Sequence, residues 1–391
     1  MLEWLSEELE ERRGLGLFRT KTLTNHRSAT EIDVDGQRLV NFGGNDYLGL
    51  ATHPRLLAAV DETRAHGTPN IETRWGSGAS PLVSGYGPAH ACLENDLAEF
   101  EQTEAAIVFS TGYAANVGTV AALTKKQDVI FSDELNHASL IDGCRLSRAS
   151  VYVYPHADMN QLQNLIRQHR ASAKRAFIVT DSIFSMTGDL APLNSIVEIA
   201  EKFGLVTIVD EAHATGVYGQ FGRGLCEYFD LMNRVPVRIG TLSKAIGSLG
   251  GFVVGSQVLI DYLRNFARTY VYSTAMPAAL ARVAREGLKL AHQMNDERVL
   301  LQQQSKDLRH ELRKNGWSVS AGDSPIVPVS IGNPETTTQL SLQLRKEGHF
   351  VPAIRPPTVP LNRSLLRISL SVKHTEKQLH QLVRSFQGIA K

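Results

Sequence analysis

Cysteine is scarce: Cys92, Cys144 and Cys226 are the only three in 391 residues, and no two form a CxxC pair. Such spacing excludes a zinc knuckle, a dithiol redox centre and a disulfide framework, and it leaves the thiols as buried structural residues with no metal site expected. Charge of one sign is missing as well. Lys plus Arg number 41 against 40 Asp plus Glu, so no net field draws the chain to nucleic acid or to an anionic membrane. No apolar run approaches the ~20 residues of a membrane-spanning helix. The opening MLEWLSEELEERRG is amphipathic, rich in Glu and Arg, and has no apolar core of signal-peptide length, so the expected location is the cytoplasm. Also absent are a G-x-G-x-x-G after the first strand, a Walker lysine motif, a G-x-S-x-G elbow, a fixed-period repeat and a low-complexity linker.

What is present is the composition of an ordinary globular protein, 42% hydrophobic and 21% charged, in a chain long enough for two domains. From about residue 104 short apolar runs alternate with helical patterns: AAIVFS then YAANVGTVAALT, DVIF then HASLIDGCRLS, VYVY then MNQLQNLIRQH, AFIVTDS then NSIVEIAEKFG, and finally LVTIVD. This rhythm predicts an α/β fold with a mainly parallel sheet covered by helices on both faces, and ligands beyond the carboxyl ends of its strands. Helical material follows FVVGSQ to about residue 315. A smaller α+β unit then has PIVPVSI and LRISLS as strands and TTTQLSLQLRKEG and TEKQLHQLVRSFQG as helices. The expected organisation is an N-terminal helix and β segment over 1–49, a large domain over 50–285 and a small C-terminal domain over 286–391.

One stretch stands apart. TLSKAIGSLGG, residues 241–251, sets Lys244 among small residues with no carboxylate nearby, between the apolar runs of VRIG and FVVG. An ammonium buried without a partner is costly, so such a lysine meets a hidden anion or loses its charge and becomes a nucleophile able to form a Schiff base. Asp210 ends the strand of GLVTIVDEAHATG, with His213 three residues on. An aspartate there is often only a turn cap, but it can also hold the proton on a cationic ring nitrogen. STGYAAN, residues 110–116, offers a strand end, a glycine and a helix start, where backbone amides and the helix dipole suit a phosphate; a plain helix cap is the alternative. His137 follows the strand DVIF and could stack on an aromatic ring. Ser185 in DSIFSMTGD and His213 could meet a phenolic oxygen. Among Arg355, Arg363 and Arg367 in AIRPPTVPLNRSLLRISLS, only Arg367 falls at the start of a predicted strand, where a guanidinium can be held rigidly for two-point capture of a carboxylate. Asn45 sits in the glycine turn of NFGGNDYLGL.

Taken together, NDYLGL, STGYAAN, NHASL, FSMTGD, VDEAHATGVYG, TLSKA and YSTAMP, in that order over about residues 15–385, resemble the α-oxoamine synthase family of fold-type-I pyridoxal phosphate (PLP) enzymes. The resemblance implies a fold-type-I transferase with a mainly parallel seven-stranded sheet and PLP as cofactor. It implies Lys244 as the covalent anchor and base, Asp210 as the partner of the pyridine nitrogen, and His137 stacked on the ring and touching substrate. Ser185 and His213 would address the phenolic oxygen. Gly112, Tyr113 and Thr241 would hold the phosphate, with Thr274 reaching across from a neighbouring subunit of a homodimer. Asn45 and Arg367 would hold the amino-acid carboxylate, and Arg19 and Thr358 would lie along the acyl substrate. Within the family, IRPPTVP followed by LLRISLS resembles the members that use L-alanine with a pimeloyl thioester, on coenzyme A or a carrier protein, more than the glycine-using members. A glycine-using acyl transfer and an aminotransferase on the same fold are the rival readings. One departure is visible: Thr187 stands where an aspartate is common in FSM-x-GD, a position with no catalytic role attached.

Overall fold

The structure is a computed structural model that describes residues 2–65 and 75–389. The chain divides into two compact units, one of Met1–Tyr47, Met186–Asp189 and Val299–Lys391, the other of Leu48–Ser185 and Leu190–Arg298.

The first unit holds two small sheets. One has the order β1 (Thr24–His26), β2 (Glu31–Val34), β3 (Gln37–Asn41), β12 (His349–Phe350). The parallel pairing of β12 with β3, His349 opposite Val40 and Phe350 opposite Asn41, is what joins the N-terminal segment to the C-terminal one. The other has the order β11 (Ile326–Gly332), β14 (Ser364–Ser369), β13 (Ala353–Ile354), and all its pairs are antiparallel. The helices Pro334–Lys346 and Glu376–Gly388 each begin at a side-chain cap, Asn333 and Thr375, whose oxygens accept the free amides of the first turn.

The second unit is built on a seven-stranded sheet of order β4 (Ala105–Phe109), β10 (Gly251–Gly255), β9 (Val237–Thr241), β8 (Val206–Asp210), β7 (Ala176–Asp181), β5 (Val129–Asp133), β6 (Ser150–Tyr154). The pairs from β9 through β6 are parallel and β10 runs antiparallel to both its neighbours, so the expected mainly parallel sheet is borne out. Every residue of β4, β5, β7, β9 and β10 is buried, as strands covered on both faces must be. The covering helices follow from period 3.6. In Leu193–Phe203 the apolar residues Leu193, Ile196, Val197, Ile199 and Ala200 fall on one buried face, and Gly204 ends the helix in the left-handed region at φ 65°. Ile107, Phe109, Ile130, Val179, Ile208, Ile239 and Val253 lie in the shared core, each side chain contributing about 1.5–3 kcal/mol on burial.

The cysteines are free thiols. Cys144 and Cys226 are buried, Cys92 partly so, and burial pushes the Cys144 thiol up to about 12, which suits the structural role expected for them. Among the described residues no helix is long and apolar enough to cross a membrane, and no group of three or more His, Cys, Asp or Glu could hold a metal ion.

Candidate active site

The parallel register delivers polar residues to one end of the large sheet. β7 and β8 run side by side with Asp181 opposite Asp210, and Asp210 lies opposite Ile239, two residues before Thr241 ends β9. Asp210 is buried. Its Oδ1 accepts from the Ala212 amide at 2.7 Å and its Oδ2 from Asn116 Nδ2 at 2.6 Å, and the same Nδ2 lies 2.8 Å from Ser139 Oγ. Asn116 Oδ1 is buried with no hydrogen-bond partner among the described residues.

His137 caps the helix Ala138–Leu146. Its amide donates to Asp181 Oδ2 at 2.6 Å, and its Nδ1 lies 2.6 Å from Ser139 Oγ. The residue as a whole is exposed, yet partial burial of the imidazole lowers its pKa, with the Asp210 charge opposing that shift and the Lys244 charge adding to it. The charges of Asp210 and Lys244 also act on Asp181, whose carboxyl is pushed well above the usual range, first by burial and then by Asp210. His137, Asp181, Asp210 and Lys244 thus share one electrostatic neighbourhood. Lys244 sits on the turn after β9 and is part-exposed, not enclosed between buried strands as its flanks suggested, because it lies where the sheet opens to solvent. His213 is buried and Ser185 part-exposed on the loops that follow β8 and β7.

The phosphate-type cradle is geometric. Thr111 caps the helix Gly112–Leu123 by accepting the Ala114 amide at 3.0 Å, and the first-turn amides of Gly112 and Tyr113 have no carbonyl one turn back within the helix. A Cβ at Gly112 would lie 3.2 Å from Thr241 Oγ1, so the missing side chain is what brings this helix end to the Thr241 hydroxyl. A Cβ at Gly251 would stand 2.5 Å from Thr111 O and 2.6 Å from the Gly112 Cα, closing the same approach from β10. Thr241 Oγ1 donates to Gly250 O at 2.8 Å and lies 2.8 Å from Ser243 Oγ. Thr274 is exposed on the loop after the helix Arg268–Val271 and lines a small cavity with Ser110, Glu94 and Tyr270.

In the first unit Arg367 is the fourth residue of β14 rather than its first, between the buried Leu366 and Ile368. Its guanidinium donates to Ser369 Oγ at 2.7 Å and to Asn45 Oδ1 at 3.1 Å. Tyr47 OH donates to the same Asn45 oxygen at 3.2 Å; burial raises the Tyr47 pKa and the Arg367 charge offsets part of the rise. Arg19 donates to Thr358 Oγ1 at 2.7 Å, both side chains exposed, and Arg355 likewise reaches back to donate to Gly16 O. Asn45 with Arg367, and Arg19 with Thr358, are therefore brought together across more than three hundred residues.

Three site residues escaped sequence reasoning. Asn116 was quoted in STGYAAN but given no role, although a lone amide in the apolar helix GYAANVGTVAAL is a signal for a buried partner. Asp181 ends AFIVTD as Asp210 ends LVTIVD, and the repeated strand-end acid was legible. Tyr47 had no signal, since its role depends on where Asn45 folds.

The profile of the family described as Aminotransferase class I and II matches residues 37–386. The 8-amino-7-oxononanoate synthase of Lysinibacillus sphaericus is 42% identical over 377 residues, 96% of this chain and 95% of that protein. The solved serine palmitoyltransferase of Sphingomonas wittichii superposes with a TM-score of 0.92 at 31% identity, covering 99% of this chain and 97% of that one. The solved 8-amino-7-oxononanoate synthase of Francisella tularensis gives 0.76 at 29% identity, covering 90% and 97%. The residues present fit PLP: the bare Gly112 and Gly251 let the helix start come against the Thr241 hydroxyl and β10, Asn116 keeps an orphaned buried oxygen beside Asp210, and the Asp210 and Lys244 charges both act on His137. The seven-stranded sheet, the match over residues 37–386 and the relative 42% identical along nearly the whole chain agree: this chain belongs to the Aminotransferase class I and II family, among the α-oxoamine synthases, as a PLP-dependent, decarboxylating C-acyltransferase.

Proposed function

We propose that the chain condenses L-alanine with a pimeloyl thioester, carried on coenzyme A or a carrier protein, and releases carbon dioxide and 8-amino-7-oxononanoate in biotin biosynthesis. The relative at 42% identity, whose name carries that product, supports the choice of substrates. Bound in the site, PLP supplies an electron sink for the charge left when the amino acid loses its Cα proton and later its carboxylate.

The chain's own residues do the rest. Gly112 and Tyr113 offer backbone amides, and Thr241 a hydroxyl, to the phosphate; Thr274 of a second copy would complete that grip in a homodimer. Asp210 holds a proton on the pyridine nitrogen, and Asn116 and the Ala212 amide keep its carboxylate aimed. His137 would stack on the ring, while Ser185 and His213 would hydrogen-bond its phenolic oxygen. Arg367 and Asn45 grip the α-carboxylate, which turns the Cα–H bond, ahead of the Cα–carboxylate bond, into the reactive direction. The Lys244 amine removes that proton. Cα then attacks the thioester carbonyl, the thiol leaves, the carboxylate departs as carbon dioxide, and a proton returns to Cα. Arg19 and Thr358 line the acyl chain.

The observation that carries this reading is the buried Asp210 at the end of β8, held by Asn116 and the Ala212 amide, with its charge and that of Lys244 both acting on His137. The test is product mass. PLP-loaded protein is incubated with L-alanine, glycine or L-serine, each with pimeloyl-, acetyl- or palmitoyl-CoA. Alanine with the pimeloyl thioester should give 8-amino-7-oxononanoate and carbon dioxide; turnover confined to glycine with acetyl-CoA, to serine with palmitoyl-CoA, or to amino-group transfer without carbon dioxide would replace the proposal.

A further inference from the structure

We infer that His374 is a positioning residue for the amino-acid carboxylate, its imidazole fixing the Asn41 carbonyl and with it the turn that carries Asn45 to Arg367. The inference rests on the reading that Arg367 and Asn45 hold that carboxylate.

His374 is 3% exposed and lies in the turn between β14 and the helix Glu376–Gly388. Its Nδ1 accepts the Ser371 amide at 2.9 Å, with Ser371 O 3.1 Å away, and its Nε2 lies 3.0 Å from Asn41 O. With Nδ1 accepting, the ring proton sits on Nε2 and is donated to Asn41 O. Burial pulls the imidazole down to about 4, against the opposing pull of the Asn41 and Ser371 carbonyls, so the ring stays neutral at working pH. It also stacks on Phe42, the centroids 4.5 Å apart and the planes 8° from parallel.

Residues 41–47 leave β3 and lie along the end of β14 and the segment that follows it. Ser369 N donates to Phe42 O and Val372 N to Tyr47 O, each at 2.8 Å, and Arg367 reaches Asn45 between them. The His374 bond completes this set by holding the first carbonyl of the stretch, that of the buried Asn41, while Asn41 Oδ1 accepts the Gly43 amide at 2.9 Å. At Gly43 the turn packs closely on its neighbours, since a Cβ there would stand 2.8 Å from both Phe350 and Pro352. Loss of the His374 donor leaves a buried carbonyl unpaired, and the turn relieves it by moving the backbone four residues before Asn45. A displacement of that kind tells on the 3.1 Å Asn45–Arg367 contact first.

The experiment compares His374→Phe, His374→Asn, His374→Gln and Arg367→Ala as PLP-loaded enzymes, with L-alanine and pimeloyl-CoA varied in turn. His374→Phe keeps the aromatic stack and removes the donor, and should raise the KM for L-alanine about ten-fold while the KM for pimeloyl-CoA stays within about three-fold. His374→Asn is too short to span both the Ser371 amide and the Asn41 carbonyl. It should show the same selective rise, and it decides the matter where His374→Phe does not accumulate as folded enzyme. His374→Gln, which can still donate to Asn41 O, should recover at least half of the loss. In an Arg367→Ala background the His374 substitution should add little, because the two act on one contact. If Arg367→Ala raises the L-alanine KM but neither His374→Phe nor His374→Asn does, or if both substrates lose equally, the inference is overturned and the carboxylate reading stands. An L-alanine KM unchanged in Arg367→Ala overturns the carboxylate reading itself.

Discussion

Asn116 Nδ2 sits 2.6 Å from Asp210 Oδ2, an amide of one helix held against a carboxylate that ends a strand ninety-four positions later. Both groups are buried, so the bond works in a medium where a charged acceptor gains more from a donor than it does in water. With the Ala212 amide on the other oxygen, it holds the Asp210 carboxylate in one orientation.

Asn116→Ala should therefore weaken PLP binding and turnover together. A hydrogen bond to a charged group is worth about 1.5–3 kcal/mol, which corresponds to roughly a ten- to hundred-fold change. Cofactor titration by absorbance, with kcat measured at saturating PLP, checks it; an affinity within about two-fold of the wild type would remove Asn116 from the site.

Gly112→Ala separates binding from stability. The added Cβ crowds Thr241 Oγ1 at 3.2 Å and disturbs the hydroxyl beside the helix end, so PLP affinity should fall about ten-fold. Alanine is the better helix former by about 1 kcal/mol, so urea unfolding of the cofactor-free protein should show no loss of stability. A parallel loss of both would contradict the cradle.

Lys244→Ala should lower turnover below detection, since no other amine is offered as the base. Lys244 is part-exposed on a turn, so the apo protein's unfolding midpoint should move little. Near-normal turnover in this variant would end the proposed mechanism.

Glu101 predicts a pH effect away from the site. It is buried with Arg238 Nη2 3.5 Å away, and burial, opposed by the Arg238 charge and reinforced by Glu211, pushes its carboxyl up to about 7. Because the folded pKa lies above the unfolded value near 4.3, the folded state binds a proton that the unfolded state has released. The contribution to stability is full below about pH 4 and is lost as pH rises to about 7. Glu101→Gln should flatten that part of the stability profile, measured by urea unfolding between pH 4.5 and 8. An unchanged slope would mean that Glu101 ionises freely in the fold.

Much of the fold was legible because each strand of the large sheet is a short apolar run bounded by polar residues, and helices such as Met159–His169, Leu193–Phe203 and Gln257–Phe266 repeat their apolar residues at 3.6. Lys244 and Asp210 were legible for a related reason: a polar residue at the end of a buried run has been kept there against the pattern. The environment of Lys244 was misread, since small neighbours and apolar flanks look the same at an open strand end as in a closed core. Arg367 was assigned to its strand but not to its place in it, because β14 begins three residues earlier at Ser364.

The linear sequence by itself determined the α/β alternation, the polar strand ends and the family, for these reside in composition, period and order along one chain. Only the tertiary structure decided that Asp181 stands opposite Asp210, that Asn116 reaches the same carboxylate, and that His374 holds Asn41. Periodicity reports which side of an element is buried. Which residue comes to lie against it depends on strand register and loop closure, and those are fixed only when the whole core packs.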